Sequence, residues 1–276
     1  MEVLVLGSTR VGDSIWNHLY DLPTIHELQL GNCSLTYINI TVMDLRHNRI
    51  SKLDKKSFVG LPNLAGINLS WNKLTALRRN VFQNSPNLEL LQVSNNDIKL
   101  IEGDAFKNMS KLKWLLLKHN NIKNIAYIFT NMLSLLQLDL GYNKLDGPIH
   151  AGHFYNSFAL QQIILNNNHV TGIVGSAFSN FQHLEIVDLK YNNISSLQPY
   201  NINFSPLTIP PPVFYFRGNR FNCDCHLTWM RQCLNRWTDS CKGLEIDEFE
   251  FVLCYSGYKI RKYSLIKNAK LGENAV

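Results

Sequence analysis

Apolar and polar positions fall into one phrase that recurs along most of this chain. In LAGINLSWN (Leu64 to Asn72), LKWLLLKHN (Leu112 to Asn120) and LEIVDLKYN (Leu184 to Asn192) the order is apolar-x-x-apolar-x-apolar-x-x-Asn. The alternation x-L-x-L-x has a period of two and predicts a short strand with both apolar side chains on one face. The closing residues are Asn48, Asn72, Asn96, Asn120, Asn143, Asn168, Asn192 and Asn219, spaced 24, 24, 24, 23, 25, 24 and 27 residues. Upstream the register continues with Cys33 (IHELQLGNC) and Thr9 (MEVLVLGST) in the asparagine slot. One unit cannot bury its apolar pair alone. Neighbours must therefore stack, which predicts parallel strands forming one side of a solenoid.

The phrase L-x-x-L-x-L-x-x-N is that of the leucine-rich repeat. The expected fold is an α/β solenoid, a leucine-rich repeat horseshoe whose parallel β-sheet lines the concave face. About ten units fill residues 1–219. The asparagine amide carries two donors and an acceptor, enough to satisfy turn backbone groups in its own and the adjacent coil. Phe58, Phe82, Phe106, Phe129, Phe154 and Phe178 keep the same period and predict a stacked aromatic spine inside the convex side. One unit is anomalous: Cys33 to Asn48 is only 15 residues and holds no spine phenylalanine. A clipped unit there would leave a gap in the convex core and kink the solenoid.

After the last repeat comes NRFNCDCHLTWMRQCLNRW (Asn219 to Trp237), with Cys223-x-Cys225 and then Cys233, Cys241 and Cys254. Leu227, Met230, Leu234 and Trp237 make one stripe of a short predicted helix. This stretch resembles the carboxyl-terminal cysteine-rich cap of animal extracellular leucine-rich repeat proteins, including Toll-like receptor ectodomains, Slit-like proteins and variable lymphocyte receptors. The resemblance implies a disulfide cap over 220–258 in which Cys223 and Cys225 each pair with a later cysteine, followed by a basic tail over 259–276. Cys241 and Cys254 are then the third and fourth cysteines. In the alternative alignment VLCYSGYKIRKY (Val252 to Tyr263) is the third-cysteine region and the fourth is absent. Connectivity stays open, with Cys233 the expected free thiol. Zinc binding by CDCH (Cys223 to His226) is the rival reading.

Six N-x-S/T sequons, at Asn32, Asn39, Asn68, Asn108, Asn193 and Asn203, accompany the cysteines. Together they favour an oxidising, extracellular or cell-surface location. Met1 occupies the first leucine slot of its phrase with no cysteine-rich cap ahead of it. The chain is accordingly expected to be a fragment or truncated isoform. No apolar run in it approaches the length of a membrane span.

The net charge is +6. Lys259, Arg261, Lys262, Lys267 and Lys270 supply much of the excess; a solvated tail or a polyanion contact accounts for them, and no sequence-specific nucleic-acid motif is present. Chemistry is thinly signalled. LVLGSTRVG (Leu4 to Gly12) lacks the middle glycine of a dinucleotide loop and already fits the repeat register. His150 and His153 (PIHAGHF) have no third metal ligand in sequence reach. No hydrolase or metalloprotease motif occurs, and the chain is read as a non-enzyme without a cofactor.

Recognition is therefore expected on the strand positions that the core does not need. One concave column reads Val5, Gln29, Asp44, Asn68, Gln92, Leu116, Asp139, Ile164, Asp188 and Tyr215; the column before it reads Val3, Glu27, Val42, Gly66, Leu90, Trp114, Gln137, Gln162, Ile186 and Val213. Leu90, Trp114, Leu116 and Ile164 would form a central apolar patch, with Trp71, Tyr142 and Tyr191 along one flank. Such groups are plausible anchors for a protein or glycoconjugate ligand. Asp139 and Asp188, with Asp44, Lys113, Lys118 and Lys190, would tune specificity. A glycan on Asn68 would block part of this face. Similarity to Toll-like receptor ectodomains implies a receptor fragment in which ligand brings two ectodomains together as a homo- or heterodimer. A secreted adhesion, guidance or matrix protein is the alternative.

Overall fold

A computed structural model describes residues 41–55, 57–59, 61–203, 205, 208 and 210–222, together with the backbone of five further strands. Those five are Glu2–Val5, Ile25–Gln29, Glu245–Asp247, Leu253–Ser256 and Lys259–Ile260. The glycine loop at 7–12, the short unit's Cys33, the cap helix and most of the basic tail lie outside the described residues.

The repeated phrase builds a parallel sheet of nine strands. It runs through Val42–Asp44, Gly66–Asn68, Leu90–Gln92, Trp114–Leu116, Gln137–Asp139, Gln162–Ile164, Ile186–Asp188 and Val213–Tyr215 to Glu245–Asp247. Neighbouring strands pair without register shift, as in Leu90↔Trp114 and Gln162↔Ile186. The middle residue of each strand from Met43 to Phe214 is buried, including Ile67, Leu91, Leu115, Leu138, Ile163 and Val187. Its two neighbours point to the other face, as the period-two pattern requires. Glu2–Val5 and Ile25–Gln29 form a separate two-stranded parallel sheet.

The asparagines fasten coil to coil. Asn120 Nδ2 donates to Leu117 O in its own coil at 2.9 Å and to Val93 O in the preceding coil at 3.0 Å, while its Oδ1 accepts from Ile98 N at 3.0 Å. Asn72, Asn96, Asn143, Asn168, Asn192 and Asn219 repeat this arrangement, each buried. Backbone groups buried between stacked coils would otherwise lack partners, at about 1–3 kcal/mol each. This explains why the side chain must be a short amide.

The convex side changes character along the chain. Phe58, Phe82, Phe106 and Phe129 stack in series, with centroids 5.7, 6.4 and 6.0 Å apart. Beyond Phe129 the spine takes a different form. Phe154 meets Phe181 edge-on at 6.3 Å and Phe178 meets Phe214 edge-on at 5.5 Å. There the convex side also gains a strand pair, Asp146–His150 with His169–Val174, which slips register after Gly147. Gly147 has φ +83°, a conformation that favours glycine. Elsewhere the convex side consists of turns, the short strand pair Ala76–Leu77 with Leu100–Ile101, and 3-10 helices at Ala151–Phe154 and Pro199–Ile202.

Candidate functional site: the concave sheet and its flank

The side chains that the core rejects form a ladder across the sheet. Leu90, Leu116 and Ile164 are half-buried, and Trp114 is exposed at 38%. Strand pairing sets Leu90 directly beside Trp114 and Ile164 beside Asp139. The patch expected from the sequence is therefore brought together, and Gln137, Gln162, Ile186, Val213 and Tyr215 extend it. The Lys113 ammonium lies 5.8 Å from the Trp114 ring while paired with Glu89 at 2.9 Å.

The flank holds a feature that sequence reasoning missed. The residue before each ladder asparagine is left-handed: His47, Trp71, Asn95, His119, Tyr142, Asn167, Tyr191 and Gly218 have φ between 54° and 78°. Its N–H bonds to a carbonyl of the next coil, as Trp71 N does to Ser94 O and Tyr142 N to Asn166 O. The conformation thus belongs to the ladder, and its side chain is turned out beside the sheet. Bulky residues in this region carry about 1–3 kcal/mol of strain. Asparagine or glycine suits it better, as Asn95, Asn167 and Gly218 show. Trp71, Tyr142 and Tyr191 stand there with 54%, 42% and 46% exposure. The readable signal was the slot just before the asparagine, where aromatic and imidazole rings recur.

These rings pair along the flank. His47 stacks on Trp71 at 5.5 Å, and His119 stacks on Tyr142 at 4.3 Å. Lys118 and Lys190 sit 5.1 and 4.7 Å from the Tyr142 and Tyr215 rings, within cation–π range. At Gly218 a Cβ would collide with the Tyr191 ring, so glycine is required by both its φ and its contact.

Asp139 and Asp188 are less available than a surface role would need. Asp188 is 9% exposed; its Oδ1 accepts from Lys190 N, and its Oδ2 lies 3.6 Å from the Lys190 ammonium. Asp139 Oδ1 accepts from Gly141 N at 2.9 Å. Burial pushes its carboxyl above the ordinary carboxylate value, against the Gly141 hydrogen bond and the Lys118 charge. Burial, then the Lys118 charge, holds the His119 imidazole below its usual value. The two carboxylates shape turns at the edge of the sheet, where tuning of a partner is secondary. Asn166 Oδ1, buried without a donor among the described residues, leans on Gly141, where a Cβ would strike it.

Asn68 is half-buried on the concave face, and its Oδ1 accepts from Ser70 N at 3.0 Å. Asn108, Asn193 and Asn203 are exposed. Asn32, Asn39, Cys223, Cys225 and Cys241 lie outside the described residues; Cys254 is described only as backbone, in the strand paired with Arg220–Phe221. His150 and His153 stack at 3.7 Å on the convex side, where His153 Nδ1 accepts from His150 N. Burial, with the His150 charge, lowers His153 to about 4. No group of three or more His, Cys, Asp or Glu able to hold a metal ion occurs among the described residues, nor does a helix long and apolar enough to cross a membrane.

Comparison with known proteins agrees with this geometry. The leucine rich repeat family model matches residues 38–98, 86–145 and 158–203. Toll-like receptor 7 of Drosophila melanogaster is 30% identical over 105 residues, covering 37% of this chain and 7% of that protein. Among solved structures, human 5T4 superposes with a TM-score of 0.67 at 22% identity, covering 83% of this chain and 85% of that one. FLRT2, in a complex with Latrophilin 3 and Unc5D, gives 0.61 at 18% identity, covering 95% and 87%. The chain belongs to the leucine-rich repeat family, with repeats of the kind carried by Toll-like receptor ectodomains.

Proposed function

We propose that this chain is an extracellular or cell-surface recognition module that binds a protein or glycoconjugate ligand on its concave face and has no catalytic role. The observation that carries the reading is the exposed Trp114, flanked by Leu90 and Leu116 at the centre of a sheet whose remaining apolar residues are buried. An indole ringed by half-buried apolar groups and edged by lysines is the usual form of a binding anchor. The relatives support a protein ligand, since the FLRT2 repeats were solved within a complex of adhesion-type proteins.

A Toll-like or related innate-immune receptor is the parent we favour, on the strength of the Toll-like receptor 7 match. The chain spans under a tenth of that relative, so the receptor's signalling is itself part of the proposal. The 5T4 and FLRT2 likenesses favour the second reading, an adhesion or guidance protein. Disulfides among Cys223, Cys225, Cys241 and Cys254 and glycans on the six sequons belong to the same proposal.

The test is a screen of the secreted chain against arrayed extracellular proteins and glycans, with Trp114→Ala in parallel. Hits should weaken by about 2 kcal/mol, some thirtyfold, in the variant. Thermal unfolding should stay unchanged. Hits that Trp114→Ala leaves intact would overturn the concave-face assignment.

A further inference from the structure

A repeat protein supplies its own control, because the same backbone position can be compared from coil to coil. Two residues before the first leucine of the phrase the outer surface carries Pro62, Pro86, Ser110 and Gln182, all exposed. In two adjacent coils that position is instead Leu133 (59% exposed) and Phe158 (44%). Two residues before the spine phenylalanine stand Asn80, Asp104, Gly152 and Ser176, but in one coil Tyr127, 69% exposed. Immediately after that phenylalanine stand Gln83, Lys107, Thr130 and Ser179, but in one coil Tyr155, 65% exposed. The fold does not need these four side chains, since its other units do without them.

The four lie together. Asn131 N donates to Tyr155 O at 2.9 Å and Asn156 Nδ2 to Asn131 Oδ1 at 2.8 Å. Met132 N donates to Ser157 Oγ at 3.1 Å, which places Leu133 next to Phe158. The Tyr127 ring lies against Gly152, 3.8 Å from where a Cβ would be. Tyr127 also has φ +58°, the conformation that Asn80 adopts at the matching position, so a bulky ring is held where the backbone prefers asparagine.

The surrounding chemistry is equally unusual. From Gly147 to Leu184 the chain has no Asp, Glu, Lys or Arg, and between Lys123 and Glu185 only Asp139, Lys144 and Asp146 are charged. No sequon falls between Asn108 and Asn193. In the preceding coils the outer side is crossed by charged groups, Arg78–Glu102 and Arg79–Asp104 among them.

We propose that the outer ridge formed by Tyr127, Leu133, Tyr155 and Phe158 docks a second copy of this chain. A two-fold contact sets each patch against itself, so any charge in it would meet its own like charge. A patch free of charge lets two chains of net charge +6 approach without that penalty. Tyrosine, phenylalanine and leucine give the apolar, aromatic character of homodimer interfaces. The ridge is on the opposite side from the concave sheet, so this contact leaves that face open and stands or falls separately from its ligand.

Sedimentation velocity over a dilution series of the secreted chain tests the proposal. Concentration-dependent dimers are expected, with the dissociation constant raised about tenfold or more by Leu133→Glu/Phe158→Glu. A Lys107→Glu control on the adjoining coil should dimerise like the parent. Both altered side chains are exposed; should the pair nonetheless unfold, Tyr155→Arg alone reads the same surface. A chain that stays monomeric at the highest concentration, or variants that dimerise normally, would overturn the assignment.

Discussion

The coils from Phe58 to Phe129 and those from Asp146 to Leu184 share one strand phrase and one asparagine ladder, yet they finish their outer sides differently. In the first region four rings stack in series beneath a surface crossed by ion pairs. In the second the rings meet edge-on, a convex strand pair is added, two histidines stack and charge disappears. The concave side is held to one geometry by backbone pairing and buried amides. The outer side has no such ladder running its whole length, so its chemistry can diverge from coil to coil. Residues that depart from the repeat are therefore more informative there than residues that obey it.

The largest expected effect probes the stacked region. Phe106 is packed between Phe82 and Phe129, and Phe106→Ala should cost about 3–5 kcal/mol of stability, read as a shifted urea midpoint. The same change at Phe154, held by an edge contact to Phe181, should cost less. Equal losses would erase the distinction between the two spines.

Acid should act first on the second region. His153 is lowered to about 4 against an ordinary value near 6.5, so the folded chain keeps it neutral while the unfolded chain takes up a proton. Its contribution is complete above pH 6.5 and is lost as pH falls toward 4. Unfolding followed over that window should show His153→Gln flattening the decline; an unchanged slope would assign the acid sensitivity elsewhere. The smallest effect has the opposite sign. Tyr127→Asn should stabilise the monomer by about 0.5–1 kcal/mol by relieving a left-handed tyrosine. A loss of stability would mean that the ring contributes more to its own coil than its exposure implies.

Much of this architecture was legible in the residues alone. The period of Asn72 and its counterparts announced stacked coils, because only stacking buries two apolar side chains per unit and satisfies the turn backbone with one amide. The concave patch around Trp114 was equally legible, since side chains alternate strictly along a strand. The six phenylalanines showed that a spine exists but not that it changes packing after Phe129. Ring orientation depends on the neighbouring coil's backbone, and that backbone shifts where the convex strand pair begins. The carboxylates of Asp139 and Asp188 looked free in sequence and are engaged in turns.

What the sequence by itself determined is the repeat, its register and the identity of the two faces, because these follow from local periodicity and the need to bury apolar groups. Only the tertiary structure decided that the residue before each asparagine is left-handed, that rings pair along that flank, and that Tyr127, Leu133, Tyr155 and Phe158 converge. Each of these depends on residues about one repeat apart in sequence being brought side by side, and that proximity exists only once the coils have stacked.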